Sequence, residues 1–276
     1  MSAAPKGKPA SVVVVSYLFV ERLIRRGYWF VGATFSGIGL GLFSEHTIAR
    51  INQAFYDGRA GFRDDAYNME GLHGWEKRAI DKYFGDCRRV LIAGAGGGRE
   101  ALAISKLGYI PTAFDCNAAL VEYANAFLSR QGTDVKLLLA PPDHCPPLSG
   151  EFDAAIIGWG AYTHIMGCER RVAFLKEISR HLKKGGALLL SFWDRPIKSR
   201  RFKWTAGVAN GLRFIRGRPS LELGDELEPC YTHSFVEDEL ALELKRAGFV
   251  MEFFSTHPYG HAVAIADRPF VGQSTA

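Results

Sequence analysis

The feature that most constrains this chain is a run of glycines, Gly94-Ala95-Gly96-Gly97-Gly98. It sits between a short apolar run, 90–93, and a helix-forming stretch, 100–107. Glycines at a strand-to-helix turn let the backbone approach a ligand with no Cβ in the way. The next apolar run, 110–114, ends on Asp115, 21 residues after Gly94. An acid at that place can accept hydrogen bonds from the hydroxyls of a ribose. A glycine turn alone is weak evidence, because tight turns also need glycine. The turn, the acid and the strand–helix context together point to a nucleotide-like ligand.

From residue 88 onward, strand and helix patterns alternate. Asn117 can cap a helix running to about Arg130, with Leu120, Val121, Ala124 and Leu128 on one face. Residues 135–139 read as a strand, followed by the loop Ala140-Pro141-Pro142-Asp143. Residues 152–157 form another strand that runs into Gly158-Trp159-Gly160. Val172, Leu175, Ile178 and Leu182 then recur at helical spacing, Gly185-Gly186 end that helix, and 187–192 is the next strand. Each gap is long enough for a crossover, which makes a doubly wound α/β fold around a mostly parallel sheet. The end departs from this rule. Ser234-Phe235-Val236-Glu237 reads as a capping box that opens a helix stopping at Gly248. Strands at 249–255 and 261–266 are joined by too few residues for a crossover, so they form an antiparallel hairpin.

The first 75 residues read as an N-terminal helical extension. Residues 1–10 look like a tail, 11–26 like a helix with a basic end, and 45–57 like a helix capped by Ser44. Gly58, Gly61, Gly71 and Gly74 mark a loop-rich stretch, in which Tyr56, Tyr67, Glu70 and Trp75 suit a movable lid. The apolar run 12–20 is too short to span a bilayer, and 28–43 is broken by four glycines, against the roughly 20 apolar residues a span needs. The charges at Glu21, Arg22, Arg25 and Arg26 follow the first run with no small-residue cleavage site, which argues against a signal peptide. A hydrophobic content of 47% excludes disorder, and a net charge of +5 is too mild to imply nucleic acid. Five separated cysteines, without metal-ligand spacing, read as reduced thiols of a cytoplasmic protein with no metal site.

Taken in order, VLIAGAGGG (90–98), the strand-end Asp115, the Pro142-Asp143 loop, FDAAIIGWG (152–160) and LKKGGALLLSF (182–192) resemble the class I S-adenosylmethionine-dependent methyltransferases. The resemblance covers about residues 75–268. It implies a Rossmann-like seven-stranded sheet with an antiparallel C-terminal strand, in a domain of 76–276 that carries an insertion at about 195–232. It implies S-adenosylmethionine as cofactor, held by Gly94, Ala95, Gly96, Gly98, Asp115, Cys116, Asn117, Asp143, Gly158 and Trp159, with Asp115 on the ribose and Asp143 near the adenine amine. The family often carries an acid two residues before the first glycine; this chain has Ile92 there. That shifts the work of holding the methionine end elsewhere, with 56–76 as a candidate segment.

The expected activity is methyl transfer to an O or N atom of a small-molecule or lipid-like acceptor. Such a transfer needs alignment first, and a base only if the acceptor must lose a proton. His164, in Tyr162-Thr163-His164, and His233, before the last helix, are the candidates for that base, with Tyr162 beside them. His144 and His261 read as structural. Two alternatives remain open at this level: an NAD(P)-dependent oxidoreductase, against which Arg99 stands in place of the third fingerprint glycine, and a non-catalytic S-adenosylmethionine-binding scaffold. Finally, 195–218 holds eight cations and no acid, interleaved with Phe202, Trp204, Val208, Leu212 and Ile215. It reads as a peripheral membrane contact or an anionic-acceptor site, or as a solvated helix pairing with Glu222, Asp225, Glu226 and Glu228. Tyr17, Leu18, Phe19, Arg22, Arg25 and Arg26 repeat that chemistry.

Overall fold

The structure is a computed structural model and describes residues 12–267; the tail expected at 1–10 lies outside them. In chain order the elements are α1 (Val12–Leu42), α2 (Glu45–Asp57), α3 (Asp65–Met69), α4 (Gly74–Tyr83), β1 (Arg89–Ala93), α5 (Arg99–Lys106), β2 (Ile110–Asp115), α6 (Ala118–Arg130), β3 (Leu137–Leu139), β4 (Phe152–Ile157), α7 (Cys168–His181), β5 (Leu182–Asp194), α8 (Arg200–Ile215), β6 (Asp225–Leu227), β7 (Tyr231–Phe235), α9 (Glu237–Arg246), β8 (Phe249–Ser255) and β9 (Gly260–Ala266). The parallel strands lie in the order β3-β2-β1-β4-β5. Strand β9 pairs antiparallel with β5, and β8 pairs antiparallel with β9, which completes the expected seven.

Strand alternation explains the two cores. Leu91 and Ala93 face α7 and α9 through Phe174, Leu175, Ile178, Leu240 and Leu244. Val90 and Ile92 face α4, α5 and α6 through Ile80, Leu102, Ile104, Val121 and Phe127. A parallel sheet covered on both faces needs such continuous apolar strands, and these supply them. Turns at Gly98, φ 94°, and Gly160, φ 72°, use the left-handed region that favours glycine.

Three expectations are corrected. Two strands were not foreseen: β7 pairs in parallel with Trp193 and Asp194 at the end of β5, and β6 pairs antiparallel with β7. Ser234 belongs to β7, so it does not cap α9. The helix opens at Val236, whose N–H donates to the Glu239 carboxylate at 3.4 Å. Lastly, the N-terminal helix does not stop near residue 26 but runs on to Leu42. Its glycines explain why: they form a seam against α8. A Cβ on Gly37 would stand 2.8 Å from the Thr205 carbonyl and from Val208 Cβ, and one on Gly41 would stand 2.7 Å from Leu212 Cβ. The buried Arg213 guanidinium donates to the carbonyls of Leu40 and Pro219, which locks the far end of the pair. No helix of the described residues is long and apolar enough to cross a membrane.

The seam gives a signed prediction. Gly41→Ala should destabilise the protein by about 1–3 kcal/mol, because overpacking outweighs the gain in helix propensity. Gly207→Ala, on α8 with nothing within 4 Å of the new methyl, should stabilise it by up to about 1 kcal/mol. Urea unfolding of both variants checks the pair.

Candidate active site

The carboxyl ends of β1, β2 and β4 open into a cavity of about 780 Å³. Asp115 organises its floor. One carboxylate oxygen accepts the Gly96 N–H at 2.8 Å, and the other accepts the Asn117 N–H at 2.8 Å. Each oxygen keeps a free lone pair. Burial nonetheless raises the pKa of Asp115, against those backbone donors. Gly94, Ala95, Gly96 and Gly97 line the cavity beside it. A Cβ on Gly96, φ 51°, would meet nothing, so the backbone there faces open space.

The other expected cofactor residues divide. Cys116 and Asn117 line the cavity, with Asn117 donating to Asp57 at 2.9 Å and accepting from Leu120 N as the cap of α6. Asp143 lines it too, in an ion pair with Arg170. Trp159 lines it with Trp193, their ring centroids 5.6 Å apart, and Tyr259 packs edge-on to Trp159 at 5.7 Å. Gly98 does not: it is the N-cap of α5 and faces Ala124 and Leu128 of α6. Gly158 does not either. Its N–H donates to the Ala93 carbonyl at 2.8 Å, and a Cβ there would strike the Gly94 carbonyl. Both glycines serve packing at the turn.

The catalytic candidates divide more sharply. His164 lines the cavity. Its Nδ1 lies 2.8 Å from the Tyr231 carbonyl, which can only accept, so Nδ1 carries the proton. Its Nε2 then accepts the Tyr56 hydroxyl at 2.5 Å. Burial lowers the pKa of His164 and raises that of Tyr56, so both are neutral here. His233 is off the cavity. Strand β7 alternates, so Thr232 and Ser234 reach the cavity wall while the His233 ring, 1% exposed, lies in the core against Phe235 and bonds Asp225 Oδ1 at 2.7 Å. Tyr162 is also off it: fully buried, stacked on Phe235, and donating to Glu243 Oε2 at 2.6 Å. Arg171 answers the same Glu243 at 2.6 Å, so Tyr162 is one arm of a buried ionic network between α7 and α9.

A second cluster escaped the sequence reading. Arg99 is buried between Glu76, at 2.7 Å, and Glu100, at 2.5 Å, and it donates to the Gly71 carbonyl. Arg99 and Glu100 line the cavity. Burial raises the pKa of Glu100 against the pull of Arg99. Beside them stands Asn68, whose Nδ2 donates to the carbonyls of Phe62 and Asp64 while its buried Oδ1 has no hydrogen-bond partner. The available signal was Arg99 itself, a charge where a fingerprint glycine would stand. The segment that carries Glu76 and Asn68 sits directly on the loop, for a Cβ on Gly97 would collide with the Phe62 carbonyl.

A glycine turn over open space, an acid with free lone pairs beside it and a buried acceptor awaiting a donor fit a nucleotide cofactor with an amino-acid tail. Residues 90–186 match the family model described as a methyltransferase domain. That stretch of the chain is similar to a methyltransferase domain, and the fold around it is that of the S-adenosylmethionine-dependent methyltransferases. No curated protein matches the chain. Among solved structures, it is similar to a methyltransferase from Methanosarcina mazei at 19% identity and a TM-score of 0.57, covering 71% of this chain and 98% of that one. It is also similar to a sugar N-methyltransferase from Streptoalloteichus sp. at 16% identity and a TM-score of 0.53, covering 78% and 92%. A third, an amino pentose methyltransferase from Micromonospora echinaspora with S-adenosylmethionine bound, matches at 15% identity and a TM-score of 0.50, covering 82% and 98%. Arg99, locked between two carboxylates, stands where the oxidoreductase alternative needs a third fingerprint glycine.

The lowered pKa of His164 fixes a pH dependence. A group with a depressed folded pKa gives stability that is present above its unfolded pKa, near 6.5, and is lost as pH falls through the folded value. His181 and His261 shift the same way, each lowered mainly by burial. These histidines therefore remove stability as pH drops below about 6.5, Asp115 and Glu100 with their raised pKa values act in the opposite sense, and His164→Gln should remove the His164 share of the pH dependence. Thermal melts of both proteins across that range test it.

Proposed function

We propose that the chain methylates an O or N atom of a small-molecule or lipid-like acceptor, with Tyr56 and His164 taking the proton that the acceptor gives up. The observation that carries this is the chain of hydrogen bonds from Tyr56 through His164 to the Tyr231 carbonyl, on the cavity wall. The acceptor's proton passes to the Tyr56 oxygen as the Tyr56 proton passes to His164 Nε2. The Nδ1–H bond to the Tyr231 carbonyl then steadies the imidazolium. Burial opposes that charge, which keeps the pair neutral until an acceptor is in place. Glu226, half-buried on the same wall and paired with Arg201, adds an anionic side suited to an amine-bearing acceptor. Two structural neighbours, a sugar N-methyltransferase and an amino pentose methyltransferase, support an acceptor of that size and polarity.

The cofactor, when bound, supplies a methyl group on a cationic sulfonium. Asp115 takes the ribose hydroxyls, and Cys116, Asn117 and Asp143 border the nucleoside. Trp159 and Trp193 offer aromatic faces to the sulfonium charge. Glu100 and the free Asn68 Oδ1 take the ammonium of the methionine end, which replaces the acid that Ile92 lacks. The segment 45–75 acts as the cover over this site.

Asp115→Ala and Glu100→Gln should each weaken S-adenosylhomocysteine binding by about 10- to 100-fold, the loss of one charged hydrogen bond at roughly 1.5–3 kcal/mol. Unchanged affinity by calorimetry would remove the residue from the site. Tyr56→Phe and His164→Ala should lower turnover on an identified acceptor by about 10²–10⁴-fold with S-adenosylhomocysteine affinity kept. A loss below about tenfold in both would rule out the pair as the base.

A further inference from the structure

Helix α1 turns an apolar face outward. Tyr28, Val31, Phe35, Ile38 and Leu42 recur three and four residues apart, and all are exposed, Tyr28 at 84% and Phe35 at 75%. That spacing places them on one stripe, away from the glycine seam. Residues 27–43 carry no charge at all. At the edge of the stripe Phe30 packs on Trp204, ring centroids 4.8 Å apart, and the Trp204 indole N–H donates to Thr34 at 2.9 Å. Helix α8 continues the surface: Trp204 is exposed, and so are Phe214 at 86% and Ile215 at 80%.

The cations beside this stripe are placed against local helix physics. The first turn of α8 holds Arg200, Arg201 and Lys203 and no acid, although the dipole favours anions there. Glu226 and Glu228 answer Arg201, each at 2.5 Å. Arg200 and Lys203 are exposed next to Trp204 and enter no ion pair among the described residues. A local rule broken without compensation among the described residues marks a surface with another use. The cavity edge adjoins it. Glu228 and Pro229 line the cavity, and the Glu228 carboxylate lies 3.2 Å from where a Cβ on Gly32 of α1 would stand.

We propose that α1 and α8 form a docking surface for an anionic lipid bilayer. The stripe and Trp204 enter the boundary between headgroups and acyl chains, and Arg200 and Lys203 meet the headgroup phosphates. Interfacial helices combine these two contacts. The three-and-four spacing would also suit a second copy of the chain. A second copy, however, brings the same cations, unpaired among the described residues, and Glu226 and Glu228 that Arg201 already answers, whereas the bilayer supplies the opposite charge. Docking in this way turns the Glu228–Pro229 edge of the cavity toward the membrane. The side chains of 17–26, which the sequence marks as similar in character, lie outside the described ones.

Flotation of the full chain with phosphatidylcholine vesicles, and with vesicles of phosphatidylcholine and phosphatidylserine in equal parts, tests this. The expected result is binding to the anionic vesicles at low salt, little binding to the neutral ones, and release as salt screens the attraction. Arg200→Ala and Lys203→Ala should each weaken binding about fivefold, and Phe35→Ser about tenfold or more. All three side chains are exposed, so circular dichroism melts should match those of the parent protein. Three results would overturn the proposal: no flotation with anionic vesicles, flotation unchanged by the variants, or a dimer by light scattering that Phe35→Ser dissolves.

Discussion

Everything at the site depends on one buried carboxylate. Asp115 ends β2, and its two oxygens hold the N–H groups of Gly96 and Asn117. The first bond fixes the glycine turn after β1; the second fixes the start of α6. Burial makes the charge costly, and backbone donors on both oxygens offset part of that cost. The Ala95 N–H adds a bond to the Phe114 carbonyl, and the Ala140 N–H adds one to the Asp115 carbonyl. The ends of β1, β2 and β3 are thereby tied at one level, which is the level at which a ligand meets the sheet.

The sequence made the α/β part legible because each strand–helix unit is local. Asn117 caps α6 through its own side chain, and the 249–266 hairpin follows from a short connection. The parts that were not legible depend on distant partners. Strands β6 and β7 are short and are held by residues far away in the chain, Ser36 bonding Leu227 N and Asn52 bonding Tyr231 N. His233 was misread although a signal existed. Tyr231, His233 and Phe235 share one face of a strand by period two, and two aromatic neighbours on that face mark it as core. Tyr162 offered no such signal, since its partner Glu243 lies 81 residues away on α9.

Arg171 shows how such a distant partner is secured. It is 1% exposed and bonds Glu243 through two nitrogens, Glu222 at 2.5 Å and the Ile165 carbonyl. Removing one member of a buried ion pair leaves an unmatched charge, so these positions are bound to one another more strongly than the net stability of the network suggests. The acids Glu222 and Asp225 with His233 come close enough to hold a metal ion. Arg171 already satisfies Glu222, and the Tyr231 hydroxyl and His233 satisfy Asp225, so the cluster is structural.

The N-terminal residues are held in two physically different ways. Helix α1 meets α8 through glycines that let the backbones close up into a tightly packed contact. Helix α2 buries only Ile48. The segment from α2 through α3 is attached instead by polar links: Tyr56 to His164, Asp57 to Asn117, and Asp65 to both Tyr123 and Arg130. Polar links of this kind can be exchanged for water at small net cost, while a close-packed helix pair cannot be opened without losing its dispersion contacts. The part of the chain over the glycine loop is therefore the part least costly to lift, and the part beside the α8 cations is the part fixed to the body.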